Sequence, residues 1–205
     1  MHNFQSLTQR EKLFLGLILV LAIGLGVFLL TGKAPQKGPI ISACAALLQE
    51  WQAAHPADAA PKETYAGEIA EVDFNGVEYP QLNRLKNGIS KAAKGGANFA
   101  GHYAVVEWGC GSSCQEHAVV DVQSGKIIVF GILSEAGLQF HPESNTIITN
   151  PETNFPTMAD LGTMTLDDKI YWYNLPREYY VLEEKDGAAS VRRICIENAF
   201  EGQGL

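Results

Sequence analysis

The chain has 205 residues, 46% hydrophobic and 19% charged, with a formal net charge of −8 at neutral pH. That length suits one domain with appendages. The acidic balance, with no basic cluster beyond Arg192-Arg193, argues against nucleic acid and anionic lipid surfaces as partners.

The first element in chain order is an apolar run. Leu13 to Leu30 contains no charged or polar side chain. At about 1.5 Å per residue such a run spans roughly 27 Å, close to the hydrocarbon core of a bilayer. A buried helix of a soluble core would carry a polar face, and this run has none. A cleaved signal peptide has a shorter apolar stretch that ends at small residues, whereas "TGKAPQKG" follows here. "ISAC", Ile41 to Cys44, resembles a lipidation site, but Thr31 to Ala43 separate Cys44 from the run. Arg10, Lys12 and the amino terminus precede it, and Lys33 and Lys37 follow. That is a weak bias for a cytoplasmic N-terminus. All four cysteines lie beyond the run, and an even number suits an oxidising compartment. The expectation is a cytoplasmic tail (1–12), a transmembrane anchor (13–31), a linker (32–39) and a periplasmic α+β domain (40–205). The same reading expects a single-pass protein of a bacterial inner membrane.

Ile40 to His55 is predicted to be a helix, with Ile41, Cys44, Leu47, Leu48 and Trp51 on one face. Pro56 to Pro61 ends it. Tyr65 to Phe74 alternates loosely and reads as a strand closed by Asn75-Gly76. Pro80 to Ala93 reads as a second helix, stopped at Gly95-Gly96. Strands are then predicted at His102–Trp108, Ala118–Val122 and Lys126–Ile132. "NTIIT", "KIYWYNL", "EYYVLEE" and "SVRRICIE" supply the others. "DVQSGK" and "EKDGAA" are hairpin turns that place Gly125 and Gly187 at positive φ. The fold expected is α+β, with two helices packed on one face of a mainly antiparallel meander.

Asn98 to Lys126 holds the chemistry. Asn98, Phe99, Ala100, Gly101, His102 and Tyr103 precede a strand, and Trp108, Gly109, Cys110, Gly111 and Cys114 follow it. Asp121, Gly125 and Lys126 close the next hairpin. This pattern resembles the signature of a family of small bacterial envelope proteins. The likeness covers about 30 residues and excludes the anchor, and the family carries no activity to transfer.

Three readings of Cys110 and Cys114 stand side by side. One is a structural disulfide across the loop. A second is a metal site of both cysteines with His102 and His117, although the spacing is not that of a standard zinc finger. A third is redox or nucleophilic work by one thiol, although thiol catalysts favour two intervening residues at a helix start. Cys44 and Cys195 either pair or remain two buried thiols.

His102 is either a hydrogen-bonded structural residue or a base, with Glu107, Ser112, Ser113, Glu116 and His117 close in sequence. No nucleophile elbow, zinc-protease helix, phosphate loop or dinucleotide fingerprint occurs. The sequence therefore reads as a membrane-anchored periplasmic accessory or interaction domain with an envelope protein as partner. No cofactor and no resident metal are expected. The alternative is an envelope hydrolase or thiol enzyme centred on His102, Cys110, Cys114 and His117.

Overall fold

Strand alternation decides the layering of this domain. In a computed structural model, the described residues are 42–198. The apolar run at 13–30, its flanking tail and the linker lie outside them. Among the described residues no helix is long and apolar enough to cross a membrane. Helices α1 (Ala43–Ala54), α2 (Pro56–Ala59) and α3 (Leu82–Ala93) come first. Strands β1 (Tyr103–Gly111), β2 (Cys114–Asp121) and β3 (Ile127–Ser134) form one antiparallel sheet in that order. Strands β4 (Leu138–Gln139), β5 (Thr146–Thr149), β6 (Pro176–Lys185) and β7 (Ala188–Asn198) form a second. Helices α4 (Met158–Thr163) and α5 (Leu166–Asn174) fall between β5 and β6.

Successive side chains of a strand point to opposite faces. Ala104, Val106, Ala118 and Val120 pack with Ile89 and Ala93 of α3. Tyr103, Val105 and Val119 face the other way and pack against Ile147 of β5 and Leu182 of β6. The first sheet is thus apolar on both faces. Each fully buried Val, Leu or Ile contributes roughly 1.5–3 kcal/mol.

Helix α1 lies on the far face of the second sheet. Leu182 faces the first sheet, and its neighbours Val181 and Glu183 point away. The Trp51 Nε1–H of α1 donates to Glu183 at 3.1 Å, and Cys44 bonds Cys195 of β7. The two helices therefore cover opposite sides of a two-sheet stack, where the sequence pointed to one face of one meander. α+β class and antiparallel pairing hold. The split into two sheets follows from β4, which pairs β5 and leaves β3 at the edge of its own sheet.

Two predicted strands are not strands. "KIYWYNL" lies in α5. Thr165 caps that helix, its Oγ1 accepting from Asp168 N at 3.2 Å. Thr157 and Asp160 form a reciprocal capping box on α4. The T-x-x-D spacing, present twice, was the overlooked start signal. Residues 65–74 run along the first sheet with a single bridge, Asp73 to Lys126. Their amides instead reach loop carbonyls: Tyr65 N–H to Gly101 and Ala70 N–H to Val122, both at 2.8 Å. Tyr65, Ile69, Val72 and Phe74 join the α3 cluster.

Candidate functional site

The residues singled out in the sequence do not form one cluster. His102 precedes β1 and Cys110 sits near its far end. At about 3.3 Å per residue they are roughly 26 Å apart along the strand. Cys110 and Cys114 are joined, with their Cα atoms 5.1 Å apart, across the exposed tip of the β1–β2 hairpin. Cys44 and Cys195 are joined as well, at 5.5 Å. No cysteine is free. Sulfurs bonded to each other offer no thiolate to a metal or a substrate while the bridge is intact.

At the other end of β1 the signature residues build a cleft. Asn98 brackets the strand: its Nδ2 donates to Val105 O at 3.0 Å, and its Oδ1 accepts from Val105 N at 2.7 Å. Phe99 is fully buried. Ala100 and Gly101 then turn the chain at positive φ, which presents His102 to the surface. The His102 side chain is 28% exposed, with Nε2 3.9 Å from Asp121 Oδ1 and 3.7 Å from Glu184 Oε1. Its ring lies against that of Tyr103, centroids 4.2 Å apart. The Tyr103 hydroxyl donates to Glu184 Oε1 at 2.5 Å. Burial, and then that carboxylate, hold the phenol well above its ordinary pKa. Asp121 also shapes the following turn, accepting from Gln123 N at 2.9 Å and from the Ser124 hydroxyl at 2.5 Å.

Two cavities meet at His102 and Glu184. One, about 220 Å³, is lined by Asp58, Lys62, Glu63 and Asn145. The other, about 670 Å³, is lined by Asp121, Ser124, Lys126 and Gly187. Four carboxylates against two lysines make this a hydrogen-bond-accepting cleft suited to a donor or cationic group. Glu184 lies 82 positions from His102, and the sequence carried no sign that the β6–β7 hairpin ends beside it.

His117 lies elsewhere, between the two sheets. It is opposite Glu107 in the β1–β2 register and only 1% exposed. Nε2 is 2.8 Å from Ser134 Oγ. Nδ1 is 3.6 Å from Glu107 Oε2 and has no hydrogen-bond partner. Burial pushes the imidazole pKa down to about 4, so the ring is neutral at neutral pH. Glu107 was among the neighbours noted in the sequence, and Ser134 was missed. Strand alternation was the signal for it, since Ser134 opposes Gln115 two positions from His117. Compared with known proteins, the chain matches no family model, no curated protein and no solved structure.

Proposed function

We propose that this protein is a membrane-anchored accessory domain of the bacterial envelope. Its C-terminal domain lies in the periplasm and engages an envelope protein through the His102 cleft. The observation that carries the reading is the pair of disulfides, which use every cysteine in the chain. Disulfides persist in oxidising compartments and are rare in the reducing cytosol. The apolar run at 13–30 supplies the tether. The carboxylate-rich cleft favours a partner segment that presents lysine, arginine or hydrogen-bond donors.

The test has two parts. A reporter fused after Leu205 is expected to be active only outside the cytoplasm, on a chain that keeps residues 1–32. A mature chain beginning near Lys33, or at a lipidated Cys44, would overturn the anchor. A photo-crosslinking residue at Lys62 or Lys126 is expected to give one discrete protein adduct in intact cells, absent when it is placed at Lys94. Equal adducts from all three positions would remove the cleft from the proposal.

A further inference from the structure

The orphaned nitrogen of His117 requires an explanation. A buried polar atom without a partner is costly, and native proteins rarely leave one without a reason. The surroundings select the tautomer. With hydrogen on Nε2, the Nδ1 lone pair would face the Glu107 carboxylate, which is repulsive. With hydrogen on Nδ1, the Glu107 carboxylate 3.6 Å away is an electrostatic neighbour beyond hydrogen-bond length, and Nε2 is left to accept from the Ser134 hydroxyl at 2.8 Å. Ser134 Oγ also has Gln115 Oε1 at 3.3 Å as a second acceptor. The carboxylate, imidazole and hydroxyl thus stand in relay order on β1, β2 and β3.

Ser134 is only 2% exposed, but it borders open space. It lines a cleft of about 370 Å³ between the two sheets, with Leu133, Thr149, Asn150, Pro176 and Tyr180 among the walls. That volume falls at the lower end of small-molecule sites. A bulge in β3 opposite His117 and Ala118 leaves Gly131 at φ +91° on the same rim. Bulges of this kind re-aim side chains next to active sites.

We propose that Glu107, His117 and Ser134 form an acyl-transfer site for small carboxylic esters, an activity separate from partner capture and independent of the anchor. Ser134 Oγ attacks the ester carbonyl while its proton moves to His117 Nε2. The tetrahedral adduct collapses, the alkoxide takes that proton and leaves as an alcohol, and the acyl group stays on Ser134. Water, deprotonated by Nε2, attacks the acyl-serine and releases the carboxylic acid and the free hydroxyl. Glu107 touches no substrate. It is a positioning residue that holds the Nδ1–H tautomer and stabilises the transient imidazolium. The other ionisable groups on the cleft are Glu135, just after β3, and Glu178, Tyr180 and Arg193 on the second sheet; Arg193 is paired with Glu178 at 2.5 Å.

A fluorophosphonate probe on the full-length protein in detergent tests this. Attack forms the Ser134 Oγ–P bond, breaks P–F and expels fluoride. One adduct is expected, on the peptide that carries Ser134, and none on Ser134→Ala. The rate is expected to stay level from pH 7 to about 5 and to fall only as pH approaches 4, where His117 becomes protonated and accepts nothing. Glu107→Gln changes a half-exposed side chain, so it keeps the fold, and it is expected to slow labelling about tenfold or more. A folded wild-type chain that stays unlabelled, an adduct on another residue, or a Glu107→Gln rate equal to wild type would overturn the proposal.

Discussion

At the residue scale, Gly125 shows how far a local signal carries. Its place in the β2–β3 turn is visible in the sequence, and its φ is +77°. The reason it must be glycine comes from elsewhere in the chain. An added Cβ would stand 1.9 Å from the backbone carbonyl oxygen of Glu71, because residues 70–73 are laced to this turn. The Asp73 N–H donates to Gly125 O at 2.8 Å, and the Gly125 N–H donates to Asp121 O at 2.8 Å. Gly125→Ala therefore combines left-handed backbone strain, roughly 1–2 kcal/mol, with a clash that a backbone atom must absorb. The expected loss is at least about 2 kcal/mol, read as a lower urea midpoint at unchanged slope. An unchanged midpoint would mean that the 70–73 segment moves aside freely. Asp121 and Lys126 flank this glycine, so the same variant is expected to loosen one wall of the His102 cleft.

At the scale of elements, the two disulfides do different jobs. Cys110–Cys114 spans a sequence separation of 4 and closes a hairpin whose ladder already holds Gly109 opposite Gln115. Cys44–Cys195 spans 151 and ties α1 to the last strand. The loop-entropy relation gives about 2 kcal/mol for the first and about 5 kcal/mol for the second. Cys44 is also buried, and its amide donates to Glu197 Oε2 at 3.2 Å. Serine at both positions of each pair is expected to lower the melting temperature in both cases, and more for Cys44/Cys195. A larger loss from the hairpin pair would contradict this ranking. Denaturing thiol titration of the untreated wild type is expected to find no free thiol. Four titratable thiols would sink both bridges.

At the scale of the whole molecule, His117 couples the two-sheet core to pH. Its folded pKa of about 4 lies below the ordinary value of 6.5. The unfolded chain therefore binds more protons than the folded one between those values, and stability rises with pH across that window. The contribution is complete above about pH 6.5 and is lost as pH falls towards 4. Its size is about 3 kcal/mol, from the shift and 1.36 kcal/mol per unit. Asp160 and Glu183 have lowered pKa values, each first through a side-chain hydrogen bond, to Thr157 and Arg192 respectively. Their stabilisation is lost below the ordinary carboxylate range, under the His117 window. Urea midpoints of wild type are expected to decline between pH 6.5 and 4, and those of His117→Asn to stay nearly flat there. Parallel curves would place the acid sensitivity elsewhere.

Much of the local structure was legible in the sequence. The hairpin turns at Gly125 and Gly187, the helix ending at Ala93, and the strands around Val105, Val119 and Val181 were all readable, because turn chemistry and alternation are properties of neighbouring residues. The even cysteine count pointed to bridges for the same reason. Where two local codes overlapped, the reading failed: the aromatic alternation of "KIYWYNL" outweighed the Thr165 cap, and the cap prevailed in the fold. The candidate site was half legible, since His102, Asp121, Glu107 and His117 could all be named. Only tertiary structure separated them into two sites about half the length of β1 apart, brought Glu184 to His102 and Ser134 to His117, and joined Cys44 to Cys195. The physical reason is that a strand's period fixes which face a side chain takes, while the occupant of the opposite face depends on how distant segments bury their apolar surface. Here the two-faced first sheet needed α3 on one side and the second sheet on the other, and that demand set every long-range pairing described above.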